Sequence, residues 1–357
     1  MRHLFTSVYL MMGLYSGLLG CESTLSPTST DSQIDLTMSS DWDAIDFDVS
    51  SGEVPEGIAF DRNGHLFVGL APRGEIRRID SDGMQTSVAF LPPPTGGAPG
   101  LLGLATTPSG DIYAALVTFD PATRGVYRID SRTGATERLA GSWAICWPNA
   151  LAFDQRGNLY VTESTRVPCG ADPAEDMGAI WRIPPGGEAE SWVSDAALAG
   201  TGGLGLGVPI GANGIAFKPG GGGPGTLIVA NTEAGALLSV RIRPDGSPGA
   251  VEMLAQDSRI FPLDGIVMDV HGAIYAMVIG QNTIVRVSGD GTEFEVVASG
   301  PPLNLPVNAA FGTRGEDRRR LFVTNFFLPP SSLPAGFPPP KPGIVVIDAV
   351  GPGAPLP

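Results

Sequence analysis

Histidine and cysteine are scarce in this chain, which has three of each among its 357 residues. His3 lies in an apolar N-terminal segment, and His65 and His271 lie in or beside short D-x-x-G turns. No set of soft ligands is therefore available for a zinc site of the His/Cys type. A Ser-His-Asp triad is not expected for the same reason.

Basic residues are also few, since 22 lysines and arginines face 37 aspartates and glutamates and the net charge is −15. This balance argues against nucleic acid or an anionic membrane surface as a partner, and it is compatible with metal cations. No long segment shows the apolar period of an amphipathic helix. Short apolar stretches bounded by Gly, Pro, Asp and Asn predict strands.

The one long apolar run is N-terminal, over residues 4–19, and it is typical of a secretory signal rather than a membrane span. It ends in Leu18-Leu19-Gly20-Cys21, which resembles a bacterial lipobox. Residues 1–20 are thus predicted to be a lipoprotein signal peptide, and Cys21 the lipidated first residue. The alternative is an ordinary signal peptide that happens to end in cysteine. Residues 21–42, rich in Ser and Thr, predict a flexible tether.

With Glu22 after the cysteine, the resemblance to lipoproteins implies an outer-membrane lipoprotein of the bacterial cell envelope, facing the periplasm or the cell surface. We expect membrane contact through the lipid anchor only, and a monomer.

One short phrase occurs six times, at intervals of about 50 residues. It reads x-G/A-apolar-small-apolar and is followed by a turn and a second strand. The six copies open at Glu56, Leu102, Asn149, Asn213, Asp264 and Asn308. Each repeat can be parsed as four strands, so residues 43–350 predict an all-β fold, a six-bladed β-propeller with four-stranded antiparallel blades. Residues 351–357 are a tail.

The last repeat lacks a fourth strand, whereas residues 44–49 form a strand without a repeat. The N-terminal strand is therefore predicted to complete the last blade, which would protect both sheet edges. The Pro-rich segment 328–342 would be a long loop on the ligand-facing rim, either a lid or wall, or a structureless insertion.

The opening residues of the repeats should ring one mouth of the central channel. Five of the six carry a side-chain oxygen, and Leu102 is the exception. Oxygen ligands that include two carboxylates favour Ca²⁺, with Mg²⁺ less favoured.

These phrases resemble the senescence-marker-protein and gluconolactonase family, and more broadly the six-bladed calcium hydrolases that include diisopropyl-fluorophosphatase, paraoxonases and drug-responsive lactonase. The resemblance implies that Glu56, Asn149, Asn213 and Asp264 hold a catalytic calcium. It leaves the substrate open, because Leu102 stands where sugar-lactone enzymes have a polar or Arg-bearing segment, and no His precedes the sixth inner strand.

The expected activity is calcium-dependent hydrolysis of a small-molecule lactone or related ester. The ion would polarise the carbonyl, Asp264 would be base or nucleophile, and Asn308 would orient a substrate oxygen. The alternative is a non-catalytic envelope binding module with a structural calcium; a strictosidine-synthase-like condensing activity is a weaker third idea, since no suitable Glu/His arrangement is present.

Cys146 and Cys169 are the two cysteines after Cys21. They flank two neighbouring strands of the third repeat and should lie on one rim of its blade, so a disulfide between them is predicted, with two free thiols as the alternative.

Overall fold

The structure, a computed structural model, describes residues 44–327 and 341–356. The predicted signal peptide, Cys21, the tether and nearly all of the Pro-rich segment lie outside these residues. Among the residues that are described, no helix has the length and hydropathy needed to cross a bilayer.

In the described residues, twenty-four strands form six separate sheets, each with four antiparallel strands. The N-terminal strand is β1 (Ala44–Asp46). The strands of the first three blades are β2 (Pro55–Phe60), β3 (Leu66–Leu70), β4 (Glu75–Ile79), β5 (Gln85–Phe90), β6 (Gly100–Thr106), β7 (Ile112–Val117), β8 (Gly125–Ile129), β9 (Thr136–Arg138), β10 (Pro148–Phe153), β11 (Leu159–Glu163), β12 (Ala179–Ile183) and β13 (Glu190–Ser194).

The other three blades are formed by β14 (Ala212–Lys218), β15 (Thr226–Asn231), β16 (Ala236–Ile242), β17 (Pro248–Gln256), β18 (Leu263–Met268), β19 (Ile274–Val278), β20 (Thr283–Val287), β21 (Phe294–Ser299), β22 (Pro306–Phe311), β23 (Arg320–Asn325) and β24 (Gly343–Asp348). The helical segments of the described chain are short 3₁₀ turns, at Val49–Ser51, Ala71–Arg73, Ser142–Ala144, Val167–Cys169, Ala196–Leu198, Ser258–Ile260, Ile279–Gln281 and Gly315–Arg319. The predicted six-bladed all-β propeller is confirmed.

The N-terminal strand closes the ring. The sixth sheet has the order β1-β24-β23-β22, and β1 pairs with β24 so that Ala44 faces Val345 and Asp46 faces Gly343. The outer edge of the last blade is thus supplied from the opposite end of the chain, as predicted.

The hydrophobic core is divided into six layers, one between each pair of neighbouring blades. In the layer between the first two blades, for example, Phe67 and Ile76 pack with Leu101 and Leu116. Each blade is therefore covered on both faces, and the inner strands pack directly against one another around the axis. This arrangement brings the openings of the six inner strands together.

Small residues next to those openings allow the inner strands to approach. A Cβ atom on Gly214 would lie 2.8 Å from the carbonyl oxygen of Asp264, and one on Gly265 would lie 2.6 Å from that of Val307. These glycines are required by contact with the next blade rather than by an unusual backbone conformation.

The C-terminal tail crosses the other end of the axis. Its Gly353 bridges to Asp269, and the Ala354 N–H donates to the carbonyl of Met268 at 3.0 Å. A cavity of about 330 Å³ in the channel is lined in part by Ala354, Pro355 and Leu356. The tail therefore closes part of the channel mouth that lies away from the opening residues.

A disulfide joins Cys146 and Cys169, whose Cα atoms are 6.0 Å apart. Cys146 lies just before β10, and Cys169 lies in the segment that follows β11. The disulfide therefore connects the segment before β10 with the loop that follows β11.

Candidate metal centre

The oxygen-bearing residues lie in β-bulges at the start of their inner strands. In β2, Pro55 pairs with Leu70 and Ile58 pairs with Val68, so one extra residue is inserted around Glu56. The same irregularity contains Asn149 in β10, Asn213 in β14 and Asp264 in β18. A bulge redirects a side chain that would otherwise follow the strand alternation. Four bulges at one end of the ring place four oxygen-bearing side chains at the same mouth.

Glu56 and Asp264 form the charged part of this group. Burial raises the pKa of Glu56 well above its usual value, and the nearby charge of Asp264 raises it further. Burial raises the pKa of Asp264 to about 7, although a side-chain hydrogen bond from Asn213 acts in the opposite direction. The two carboxyl groups therefore lie close together, and the Asn213 amide lies beside one of them.

The amide of Asn149 is oriented by a hydroxyl. Its Nδ2 donates to Oγ of Ser164 at 2.9 Å, and Oγ of Ser164 donates in turn to the carbonyl of Ala212 at 2.7 Å. Because the single hydroxyl proton of Ser164 is donated to the carbonyl of Ala212, its Oγ can only accept a hydrogen bond from Asn149. The nitrogen of Asn149 must therefore face Ser164, which leaves Oδ1 free for another partner.

Asn213 is held in a similar way in the next blade. Its Nδ2 donates to Oγ1 of Thr232 at 3.0 Å. Thr232 follows β15 directly, just as Ser164 follows β11 directly. A hydroxyl thus occupies the same structural position behind each of the two asparagines.

These side chains fit a hard divalent cation. Within the described ranges, buried Oε2 of Glu56 has no hydrogen-bond partner, and no arginine, lysine or histidine contributes to the pKa shift of Glu56 or Asp264. A pair of carboxylates of which one is buried and the other partly buried is costly without a positive partner, unless a cation compensates the charge. Within residues 44–327 and 341–356 there is no group of three or more His, Cys, Asp and Glu that could hold a metal ion, which is consistent with a site completed by amide oxygens.

Asn308 does not share the register of the other opening residues. The inner strands end at equivalent pairs, Phe60 with Leu66 and Phe311 with Leu321. Glu56 is the fourth residue before Phe60, but the fourth residue before Phe311 is Val307. The prediction that Asn308 opens the sixth strand in register is therefore wrong by one residue.

The side chain of Asn308 instead packs over Gly265, next to Asp264, and its Oδ1 accepts a hydrogen bond from the N–H of Ala309 at 2.9 Å. It also lines the channel cavity. The ring at the mouth consequently has apolar residues in two positions, Leu102 and Val307, which are 7% and 3% exposed.

The histidines outside the N-terminal segment are distant from this mouth. His65 Nδ1 lies 2.8 Å from Oδ2 of Asp61, in the turn at the far end of β2. His271 lies in the corresponding turn after Asp269, whose Oδ1 accepts its N–H. Both aspartates bond the backbone of their own turns, as a structural role requires.

A family model described as the SMP-30/gluconolactonase/LRE-like region matches residues 98–326. The chain belongs to this family. The match includes the blades that carry Asn149, Asn213 and Asp264, whereas Glu56 lies before it. No curated protein sequence matches the chain.

Solved structures share the fold at low sequence identity. A calcium-binding protein, regucalcin from Agrobacterium tumefaciens, is 19% identical, with 85% of this chain and 93% of that chain covered and a TM-score of 0.61. A luciferin-regenerating enzyme is 13% identical, covers 87% and 98% of the two chains, and has a TM-score of 0.63. A gluconolactonase from Xanthomonas campestris is 17% identical, with 85% and 95% covered and a TM-score of 0.57.

Proposed function

We propose that this protein is a calcium-dependent hydrolase of lactones or related esters. The observation that carries the proposal is the pair of buried Glu56 and partly buried Asp264, which has no cationic partner among the described residues and stands beside two asparagines that are oriented by hydroxyl groups. Membership of the gluconolactonase-like family supports the reaction class, and the calcium-binding and gluconolactonase names of two proteins with the same fold agree with it.

The ion would be held by Glu56, Asn149, Asn213 and Asp264. Calcium suits this set better than magnesium, because it accepts irregular oxygen coordination, whereas Mg²⁺ requires a near-ideal octahedron and retains several waters. A bound Ca²⁺ supplies Lewis-acid polarisation of the substrate carbonyl.

Asp264 is the group best placed to handle the proton. Glu56, Asn149 and Asn213 are each 6% exposed, whereas Asp264 is only partly buried. Water and substrate can therefore reach Asp264 more easily than the other three side chains. We assign it the role of general base or nucleophile. Asn308, which lies outside the ring register, receives no catalytic role.

The test combines metal analysis of the purified full-length protein with assays on lactones, aryl esters and phosphotriesters. We expect one calcium per chain, and loss of turnover after chelation that added Ca²⁺ restores. Asp264→Asn should lower kcat by roughly 10²–10⁴-fold with an unchanged circular dichroism spectrum, while Asp82→Asn, in an exposed turn, should leave kcat unchanged.

The competing function is a non-catalytic envelope binding module with a structural calcium, which the burial of three ligand residues favours. It would be established if calcium-loaded protein hydrolysed none of these compounds while retaining its metal.

The cellular setting is part of the proposal. A lipid anchor on Cys21 would place the propeller in the bacterial envelope as an outer-membrane lipoprotein and a monomer, with a small-molecule partner. Labelled palmitate should be incorporated into the wild-type protein and not into Cys21→Ala. Incorporation into both proteins would refute the anchor.

A further inference from the structure

One side of the channel mouth is covered by an apolar cluster. It consists of Ala98, Leu102, Val117, Trp147 and Val208. Leu102 lies at the ring position of the second blade, between Glu56 and Asn149, and Trp147 directly precedes β10. Phe119 and Ile210 pack on this cluster and are only partly buried. These side chains, which we call the apolar wall, therefore lie beside the proposed metal site, and Leu102, Trp147 and Val208 are 7%, 5% and 8% exposed, close to the 6% of Glu56, Asn149 and Asn213.

Polar groups at the same mouth are occupied with one another. Nδ2 of Asn149 bonds Ser164, whose hydroxyl bonds the carbonyl of Ala212. Nδ2 of Asn213 bonds Thr232. In the part of the chain that the structure describes, one N–H group of each amide is consequently bonded to the protein rather than offered to a ligand.

Among the described residues, no arginine, lysine or histidine forms an ion pair with Glu56 or Asp264. Hydroxyl or carboxylate groups of a substrate that face the apolar wall rather than the ion would thus be desolvated without a partner, which is unfavourable.

We propose that the hydrolase site takes lactones or esters that carry an apolar chain or ring, and that Leu102, Trp147 and Val208 form a wall that selects them over polyhydroxylated lactones. This inference rests on the function proposed above. The reaction adds one water across the acyl C–O bond and yields a carboxylic acid and an alcohol, so no further co-reactant is needed.

The first experiment compares kcat/KM of the calcium-loaded, full-length protein for δ-valerolactone, 5-alkyl-δ-valerolactones of increasing chain length and δ-gluconolactone. Each methylene that contacts the wall should raise kcat/KM by up to about 4-fold. The alkyl lactones should exceed δ-gluconolactone by at least about 10-fold. A preference for δ-gluconolactone would overturn the apolar wall while leaving the hydrolase function intact.

The second experiment changes the wall. Leu102→Asn and Trp147→Ala should each lower kcat/KM for the longest alkyl lactone by roughly 10-fold and should change that for unsubstituted δ-valerolactone little. Leu102→Met, which keeps an apolar side chain, should retain the alkyl preference. Melting temperatures show whether the variants are folded. If a folded variant lost kcat/KM equally for both substrates, the role of the wall would be contradicted.

A binding measurement separates the two proposals. Titration calorimetry with a 6-alkyl-δ-lactam and with glucono-δ-lactam reports recognition without requiring turnover. Tighter binding of the alkyl lactam by a protein that hydrolyses no lactone or ester would refute the hydrolase function and retain the apolar selectivity. Tighter binding of glucono-δ-lactam would refute the selectivity.

Discussion

The two asparagines at the channel mouth are positioned by hydroxyl groups from the neighbouring strand. Ser164 and Thr232 occupy the residue that directly follows β11 and β15, and each accepts a hydrogen bond from the amide of its own blade. In the blades that carry Glu56 and Asp264, the same position holds Ala71 and Ile279. This distribution has a simple reason, because a carboxylate has no N–H group to satisfy, whereas an amide must be prevented from turning its nitrogen toward the cation.

We predict that Ser164→Ala and Thr232→Val weaken calcium binding, because each change releases an amide that is held with its oxygen free. Loss of such an outer partner typically costs 10–100-fold in metal affinity. Titration with Ca²⁺ in a calcium-buffered solution measures the effect.

The second blade offers a matched control for this prediction. Val117 occupies the equivalent position in that blade, where the ring residue is Leu102, and the next residue, Thr118, has an Oγ1 that donates to the carbonyl of Asp120 at 2.9 Å. Thr118→Val should therefore leave the calcium affinity unchanged. Equal losses in all three variants would show that the hydroxyls stabilise the blades and do not orient ligands.

At the scale of the element, the inner strand combines a bulge that redirects the opening side chain with a small residue that admits the next blade. The second property couples the blades, because Gly214 touches the backbone of Asp264 and Gly265 touches that of Val307. The position of Asp264 therefore depends on Gly214, the residue that follows Asn213 in the preceding blade.

We predict that Gly214→Ala disturbs the site more than the fold. The added Cβ would lie 2.7 Å from the N atom of Ile266 and 2.8 Å from the O atom of Asp264, so the fifth inner strand must move. Overpacking of this kind costs about 1–3 kcal/mol of unfolding free energy, and the shift of Asp264 should also weaken calcium binding. Urea unfolding and calcium titration measure the two effects.

Gly223→Ala is the control, because a Cβ at Gly223 would meet nothing within 4 Å. If Gly214→Ala bound calcium as tightly as Gly223→Ala, the inner strands would not transmit position from blade to blade.

The sequence predicts the elements well because the repeat is carried by local features: a small residue after the opening residue, an aromatic or aliphatic strand end and a D-x-x-G turn. The sixth copy shows the limit of that reasoning. Asn308-Ala309-Ala310-Phe311 is one residue shorter than Glu56-Gly57-Ile58-Ala59-Phe60, and only strand pairing reveals that Val307 is equivalent to Glu56. The roles of Ser164 and Thr232 cannot be predicted from local patterns, because the partner of a side chain on another strand has no local signal. A comparison of the residues that directly follow each second strand would reveal them.

For the whole molecule, ring closure brings residues from four blades to one axis. Glu56 and Asp264 are more than 200 residues apart in the sequence, and they meet because β1 completes the sixth blade while Oγ1 of Thr324 in that blade donates to the carbonyl of Glu56 at 2.8 Å. Folding therefore brings the carboxylates of Glu56 and Asp264 together, so the free energy of unfolding should depend on their protonation.

We predict that the stability of the metal-free protein falls as the pH rises from about 4 to about 7. Burial raises the pKa of Asp264 to about 7 in the folded protein, against an ordinary value of 3.8, and the pKa of Glu56 is shifted in the same direction. Between these values the folded protein retains a proton that the unfolded chain has already released, so each increase in pH favours unfolding. The three-unit difference at Asp264 corresponds to a loss on the order of 4 kcal/mol at most.

Calcium should reverse this dependence, because ligand carboxylates must be deprotonated and binding therefore releases protons. The calcium-loaded protein should be most stable at and above neutral pH, and its calcium affinity should decrease as the pH falls below about 7. Urea unfolding from pH 4 to pH 8, with Ca²⁺ and with chelator, tests both statements. Asp264→Asn should make the curve of the metal-free protein flatter, since it removes the titrating group and keeps the shape of the side chain. A metal-free wild-type protein that gained stability between pH 4 and pH 7 would show that the two carboxylates already have positive partners in the folded ring.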